Sequence, residues 1–188
     1  MTATVETQGL QSLKGTYALD PSHSRVGFVA RHAMIAKVRG AFNEVAGSAT
    51  VEATNPSASS LEVTIQAASI DTRDANRDGH LRSADFFDAE TYPTIAFVAT
   101  GFEVVDDTTV EVAGDLTIKG VTRPVTVPFE FGGAALDPFG NERIGFEGSV
   151  VVNRKDWGLT WNAALETGGV LVSEKVTLEF EVSAIKTA

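Results

Sequence analysis

The chain has no cysteine, so disulfides, thiolate catalysis and cysteine-ligated zinc are excluded. Histidine is scarce. His23, His32 and His80 are the three present, and no two have the i, i+2 or i+4 spacing that sets a metal-binding pair on one face. There is no Gly-x-Ser-x-Gly elbow, no phosphate loop and no dinucleotide fingerprint. His23 and Ser24 are adjacent, and neighbours on a strand point to opposite faces, so they form no catalytic pair. An enzyme is therefore not expected. No apolar run reaches the length of a membrane span. The N-terminus, MTATVETQGLQSLKG, lacks the basic and apolar regions of a secretory signal, so the expectation is a soluble cytoplasmic protein. Positive charge is in the minority, with 15 Lys and Arg against 25 Asp and Glu, a formal charge of −10. Nucleic acid needs a basic footprint and is excluded as a partner. The net charge also gives no reason to expect docking on an anionic membrane surface.

What is present is alternation. With 188 residues, 43% of them hydrophobic, the chain supports one domain with a sizeable core or a lined cavity. Residues 1–14 are polar and aperiodic and read as a mobile tail, and 15–188 read as the domain. In HSRVGFVARH, Val26, Phe28, Ala30 and His32 share one face. AMIAKVRG reads as a short helix. In SLEVTIQAASI, Leu61, Val63, Ile65 and Ala67 alternate with polar residues, one dry face and one wet face as in antiparallel sheet. The same pattern recurs in TIAFVATGFEVV with Phe97, in RIGFEGSVVVN with Phe146 and Val150, and in KVTLEFEVSAI with Leu178 and Phe180. Pro124 and Pro128 suit an edge or bulged strand, and GGAALDPFGNE reads as a long hairpin loop. Short strands joined by tight turns, with almost no helix, give an all-β sandwich or an up-and-down barrel. A barrel of about eight strands either packs its own interior or holds one small ligand. Alternation alone favours a packed core.

One stretch breaks the pattern. From Asp71 to Phe97 charges crowd together, Phe86 and Phe87 arrive side by side, and Tyr92-Pro93 ends the interruption. It reads as a lid across an open end. Asp74, Asn76, Asp78, Gly79 and Asp85 match a calcium-loop pattern. Two features weigh against calcium: Asp rather than Glu stands at the twelfth position, and SIDTR before it reads as a strand end. A solvated helix face explains Arg77, Asp78 and Arg82 equally well.

Several short motifs follow one another along the chain. They are Tyr17, Leu19-Asp20 and His23-Ser24; Phe28 and His32; Gly40 with Phe42; Ser69 to Thr72; Arg77-Asp78, His80-Leu81, Asp85-Phe86-Phe87, Tyr92-Pro93 and Phe97; Gly114 to Thr117 with Gly120 to Thr122; and Asn153-Arg154 with Asp156-Trp157-Gly158. In this order the sequence resembles the YceI family, lipocalin-like bacterial polyisoprenoid-binding proteins, along almost the whole chain. The resemblance implies an eight-stranded antiparallel lipocalin-like barrel with short helices over one end. It implies a long-chain isoprenoid ligand, a polyprenyl phosphate, pyrophosphate or isoprenoid quinone, with no other cofactor. It favours a hollow interior lined by Val26, Phe28, Phe42, Leu61, Val63, Ile65, Leu81, Phe86, Phe87, Phe97, Phe146, Val150, Leu178 and Phe180, with Trp157 plugging one end. It places His32, Asp71, Thr72, Arg77, His80 and Arg154 near the mouth, where they would meet a polar head group. Carriers of this shape pair to cover their mouths, so a homodimer is one expected assembly. The alternatives are a packed-core barrel that binds calcium or a surface partner, and a binder of fatty-acid-like amphiphiles.

Overall fold

Strands with one dry face need neighbours on both edges and something apolar to bury against. The computed structural model describes residues 9–188 and resolves this need by closing the sheet on itself. The strands are β1 Lys14–Leu19, β2 Arg25–His32, β3 Ala36–Phe42, β4 Val45–Glu52, β5 Ser60–Gln66, β6 Ile70–Asp71, β7 Thr94–Val104, β8 Thr109–Ile118, β9 Val121–Leu136, β10 Glu142–Asn153 and β11 Lys175–Lys186. They are hydrogen-bonded in the order β1-β4-β5-β7-β8-β9-β10-β11, and β11 returns to β1. β2, β3 and β6 continue the sheet from the other part of the β11 edge. β1 and β2 are two arms of one kinked strand, and β3 and β4 are two arms of another. β1 lies beside β4, and β2 beside β3. Counted this way, the wall is a closed eight-stranded antiparallel barrel, as expected.

The first kink is fixed by charge. Asp20 caps the 3-10 turn Pro21–His23, accepting the Ser22 N–H at 3.0 Å. Arg143, at the start of β10, donates from Nη1 to Asp20 Oδ2 at 2.6 Å and from Nε to Asp137 Oδ2 at 2.8 Å. Asp137 also accepts the backbone N–H groups of Phe139 and Asn141, which closes the β9–β10 turn. The Arg143 guanidinium is the main reason that the Asp20 carboxyl is held well below the usual carboxylate range. For Asp137 the Asn141 N–H comes first and Arg143 second, with the same direction.

Several expectations need correction. Residues 33–40 are not a helix. His32 to Ile35 form a β-turn, with Ala33 and Met34 at φ 51° and 64°, and β3 begins at Ala36. The ladder from Val26↔Phe42 to His32↔Ala36 supplies more than an isolated short helix could. Left-handed geometry at two residues with side chains costs roughly 1–2 kcal/mol each. The tail expected over 1–14 falls largely outside the described residues, which start at 9. Residues 10–14 depart from it: Leu10–Ser12 is a 3-10 turn, Lys14 opens β1, and Leu10 and Leu13 are buried across one end of the barrel. The loop expected over GGAALDPFGNE shrinks to 137–141, because β9 runs on to Leu136 through an irregularity opposite Gly145 and Phe146. Pro124 and Pro128 pair with β8 only. The β10 ladder begins at Phe129, so their stretch of β9 is an edge, as expected.

The opposite end of the barrel is covered by residues 67–93, which contain the one α-helix among the described residues, α1 Ala75–Arg82, and by the irregular segment 158–174.

Asp20 and Asp137 have depressed folded-state pKa values, so their stabilisation is present above the ordinary carboxylate range and is lost as pH falls through the folded values. Replacing Arg143 with Met is expected to lower stability most at neutral pH, with the gap to the parent closing at acid pH. Denaturant melts at pH 7 and pH 3 measure it, and a gap independent of pH would contradict the clamp.

Candidate functional site

The inward faces of the strands do not meet. They enclose a cavity of about 360 Å³ that reaches from Leu10 and Leu13 at one end to Leu81, Phe86, Phe87 and Trp157 at the other. This is the size of a small-molecule site. Among the described residues, Glu52 and Arg154 are the only charged ones in its lining. Glycine helps to keep the lumen open. Phe28 stands opposite Gly40 in the β2–β3 ladder, and a Cβ on Gly40 would collide with its ring. A Cβ on Gly114 would likewise collide with the Phe97 ring. Each ring therefore lies over its neighbour's backbone along the wall, which leaves the axis free.

The expected tunnel residues lie where alternation put them. Val26, Phe28, Phe42, Leu61, Val63, Ile65, Leu81, Phe86, Phe87, Phe97, Phe146, Leu178, Phe180 and Trp157 all line the cavity. Val150 does not. It packs against the buried cluster around Trp157 and Leu159 instead. Leu10, Leu13, Leu159 and Val172 also line the cavity and come from aperiodic segments. A leucine pair three apart before the first strand was the only signal for the first two. Leu159 and Val172 left none.

The interrupted stretch becomes a strap. Asp74 caps α1 by accepting the Arg77 N–H at 3.0 Å. Asp78 is buried and its Oδ1 accepts from Thr72 N at 2.8 Å and from Thr72 Oγ1 at 2.6 Å. Arg77 donates from Nε to Thr72 Oγ1 at 2.7 Å and from Nη2 to Thr72 O at 2.8 Å. Arg82 donates to the carbonyls of Ala68 and Ile70. These bonds press Leu81, Phe86 and Phe87 onto the barrel end. They also overturn the calcium reading, because Ala75–Arg82 is helical and Asp74 and Asp78 are engaged with backbone and Thr72.

The polar set expected at the mouth is not brought together. Asp71, Thr72 and Arg77 serve the strap. Asp71 is exposed, and the Arg73 N–H followed by Asn43 lowers its pKa. His80 pairs through Nε2 with Asp85 at 2.9 Å and packs edge-on against Trp161, with ring centroids 4.6 Å apart. His32 is exposed at the end of β2, bridged to Val172. None of these five lines the cavity. The family resemblance placed them near one end. Local hydrogen bonding, which alternation does not report, turned their side chains to other partners.

Arg154 does line the cavity, and it is 6% exposed. Its Nε donates to Ser173 O at 2.8 Å, its Nη1 to Leu159 O at 2.5 Å and its Nη2 to Val172 O at 3.4 Å. Burial pushes its pKa down. Among the described residues no carboxylate lies within ion-pair distance of it. A guanidinium has five N–H donors, so one on each terminal nitrogen remains for another acceptor. Beside it Trp157, 3% exposed, donates from Nε1 to Leu116 O at 2.9 Å. The 3-10 turn carrying both, Arg154–Trp157, ends at Gly158 with φ 78°. The arrangement can hold a long apolar molecule with an oxygen acceptor at the Arg154 end.

Asp78→Ala is expected to lower stability by about 2–3 kcal/mol, the scale of removing a charged acceptor from buried donors. Hydrogen exchange should quicken across residues 72–93 before the barrel strands. Uniform protection loss would show that the strap is not a separate unit.

A family model described as "YceI-like domain" matches residues 17–184. A UPF0312 protein of Ectopseudomonas mendocina is 38% identical over 154 residues, 81% of each chain. The crystal structure of Burkholderia cenocepacia BcnA superposes with a TM-score of 0.77 at 25% identity, covering 88% of this chain and 98% of that one. A polyisoprenoid binding domain from Saccharophagus degradans superposes with a TM-score of 0.71 at 18% identity, covering 91% and 98%, a likeness of fold.

Proposed function

The chain belongs to the YceI-like family, and from that premise we propose that it is a binding protein, not an enzyme, which carries or stores a long-chain isoprenoid lipid inside its barrel. The observation that carries this reading is a cavity running between the barrel ends with an apolar wall and one buried cation. Removing a hydrocarbon chain from water into such a wall is favourable by ~25 cal/mol per Å² of apolar area. The Saccharophagus degradans domain of the same fold is described as polyisoprenoid binding, and that supports an isoprenoid over other apolar chains.

The polar head belongs at Arg154. A buried guanidinium whose side-chain hydrogen bonds all go to carbonyls is costly to desolvate, and the Glu174 charge beyond ion-pair distance offsets this only in part. A phosphate oxygen of a polyprenyl phosphate, or the carbonyl of an isoprenoid quinone, would use its two remaining donors. Neither His32 nor His80 takes part in this arrangement. The two charged residues of the lining stand at opposite ends, Glu52 near the Leu10 end and Arg154 near the Trp157 end, and this separation supports binding and release as the proposed activity.

Two substitutions test the reading. Val63→Trp fills the lumen between β4 and β7, and it should reduce uptake of long prenyl lipids while the barrel's circular dichroism is kept. Unchanged uptake would place the chain elsewhere. Arg154→Gln should weaken polyprenyl phosphate by about tenfold, the value of a charge-assisted hydrogen bond near 1.5 kcal/mol, and leave squalene uptake unaltered. Equal loss for both ligands would remove Arg154 from the head-group role.

A further inference from the structure

The charge of −10 is not evenly spread. No Asp or Glu lies between Asp20 and Glu44, while Arg25, Arg31, Lys37 and Arg39 fall in that interval. The interval is the β2–β3 hairpin. Its register sets Arg31 directly opposite Lys37 on the outer face of the sheet. Like charges in directly opposed positions destabilise a ladder. Arg31, Lys37 and Arg39, with Lys175 of β11, surround an outward-facing cleft of about 370 Å³. Among the described residues none of these four lies within ion-pair distance of a carboxylate. The one acidic residue at the cleft, Glu179, is paired with Arg25 at 3.6 Å.

The tip of the same hairpin is apolar. Met34 and Ile35 are 61% and 81% exposed, and the turn places Ala33 and Met34 in left-handed geometry without a glycine. A soluble hairpin would favour Asn-Gly here. Ala30, on the inner face of β2 behind the cleft, lines the lipid cavity as well, so this strand separates the cavity from the cleft.

We infer that the β2–β3 hairpin docks the protein on an anionic phospholipid bilayer, with Met34 and Ile35 entering the interface and the cleft of Arg31, Lys37, Arg39 and Lys175 holding lipid phosphates. Opposite charge and the apolar tip select the occupant: four cations around one cleft attract an anionic surface, two copies meeting cleft to cleft would set these cations against each other, and a bilayer also takes up the exposed Met34 and Ile35. Two apolar residues at the tip with basic residues behind them are the pattern of an interfacial anchor. The net charge of −10 does not describe this surface, because the acidic residues lie outside the interval. The inference rests on the carrier reading, for which docking brings the lipid store to its source.

The test is flotation of the full chain with large unilamellar vesicles of phosphatidylcholine, with and without phosphatidylglycerol. Binding is expected to the phosphatidylglycerol vesicles at low salt and to weaken as salt rises. Arg31→Ser and Lys37→Ser should each lower partitioning by about fivefold. Met34→Asp and Ile35→Asp should lower it as well, while uptake of polyprenyl phosphate stays at the parent level in all four variants. Parent protein that ignores both vesicle types, or variants that bind like the parent, overturns the docking surface. Saturable binding of inorganic phosphate at the cleft without vesicle binding also overturns it and leaves a soluble-anion site. The carrier reading is scored separately: a protein that takes up prenyl lipid but ignores vesicles refutes docking alone, and one that floats but takes up nothing refutes the carrier alone.

Discussion

Closure of the barrel depends on one strand. The β11 edge away from β10 is shared, its C-terminal part pairing with β1 through Leu19↔Ala184 and its N-terminal part with β2 through Val29↔Thr177. That sharing requires the chain to turn between β1 and β2 without leaving the wall. Asp20 makes the turn and Arg143 holds it against the β9–β10 turn. A closed wall has no unpaired edge along the β1–β11 seam, and it commits every inward side chain to a common lumen.

Once closed, the lumen must be filled by side chains or by a guest. Aromatic rings are the residues best able to fill it, and here Phe28 and Phe97 lie over Gly40 and Gly114. Small residues elsewhere on the wall, Ala30 and Ala49, reach no further. The ends are closed by unlike means. Leu10 and Leu13 cover one, while a hydrogen-bonded strap and Trp157 cover the other. The same end carries Arg154 inside and the basic hairpin outside. The proposed head-group site and the proposed docking hairpin thus lie at one end of an otherwise apolar container.

The wall was legible in the sequence because period-two alternation reports burial directly. Val63, Ile65, Phe146 and Phe180 needed no other information. The hairpin at Ala33-Met34 was missed because its turn lacks the glycine that ordinarily announces left-handed geometry. Leu159 and Val172 were missed because a loop residue's burial depends on where the loop is pinned, here by Arg154. The polar set was grouped by the family resemblance. Thr72, Arg77 and Asp78 satisfy one another, and only Arg154 faces the lumen. A sum of charge over the chain also hides the interval between Asp20 and Glu44, which holds four basic residues and no acid.

The central claim is that the barrel is a container for a long apolar chain. Native mass spectrometry of the purified protein, followed by organic extraction, tests it most directly. The account predicts one bound molecule per barrel with a polyprenyl tail and an oxygen-bearing head. Release of a fatty-acid-like amphiphile would keep the container and discard the isoprenoid assignment. A protein that is empty and refuses added polyprenyl phosphate would contradict the claim.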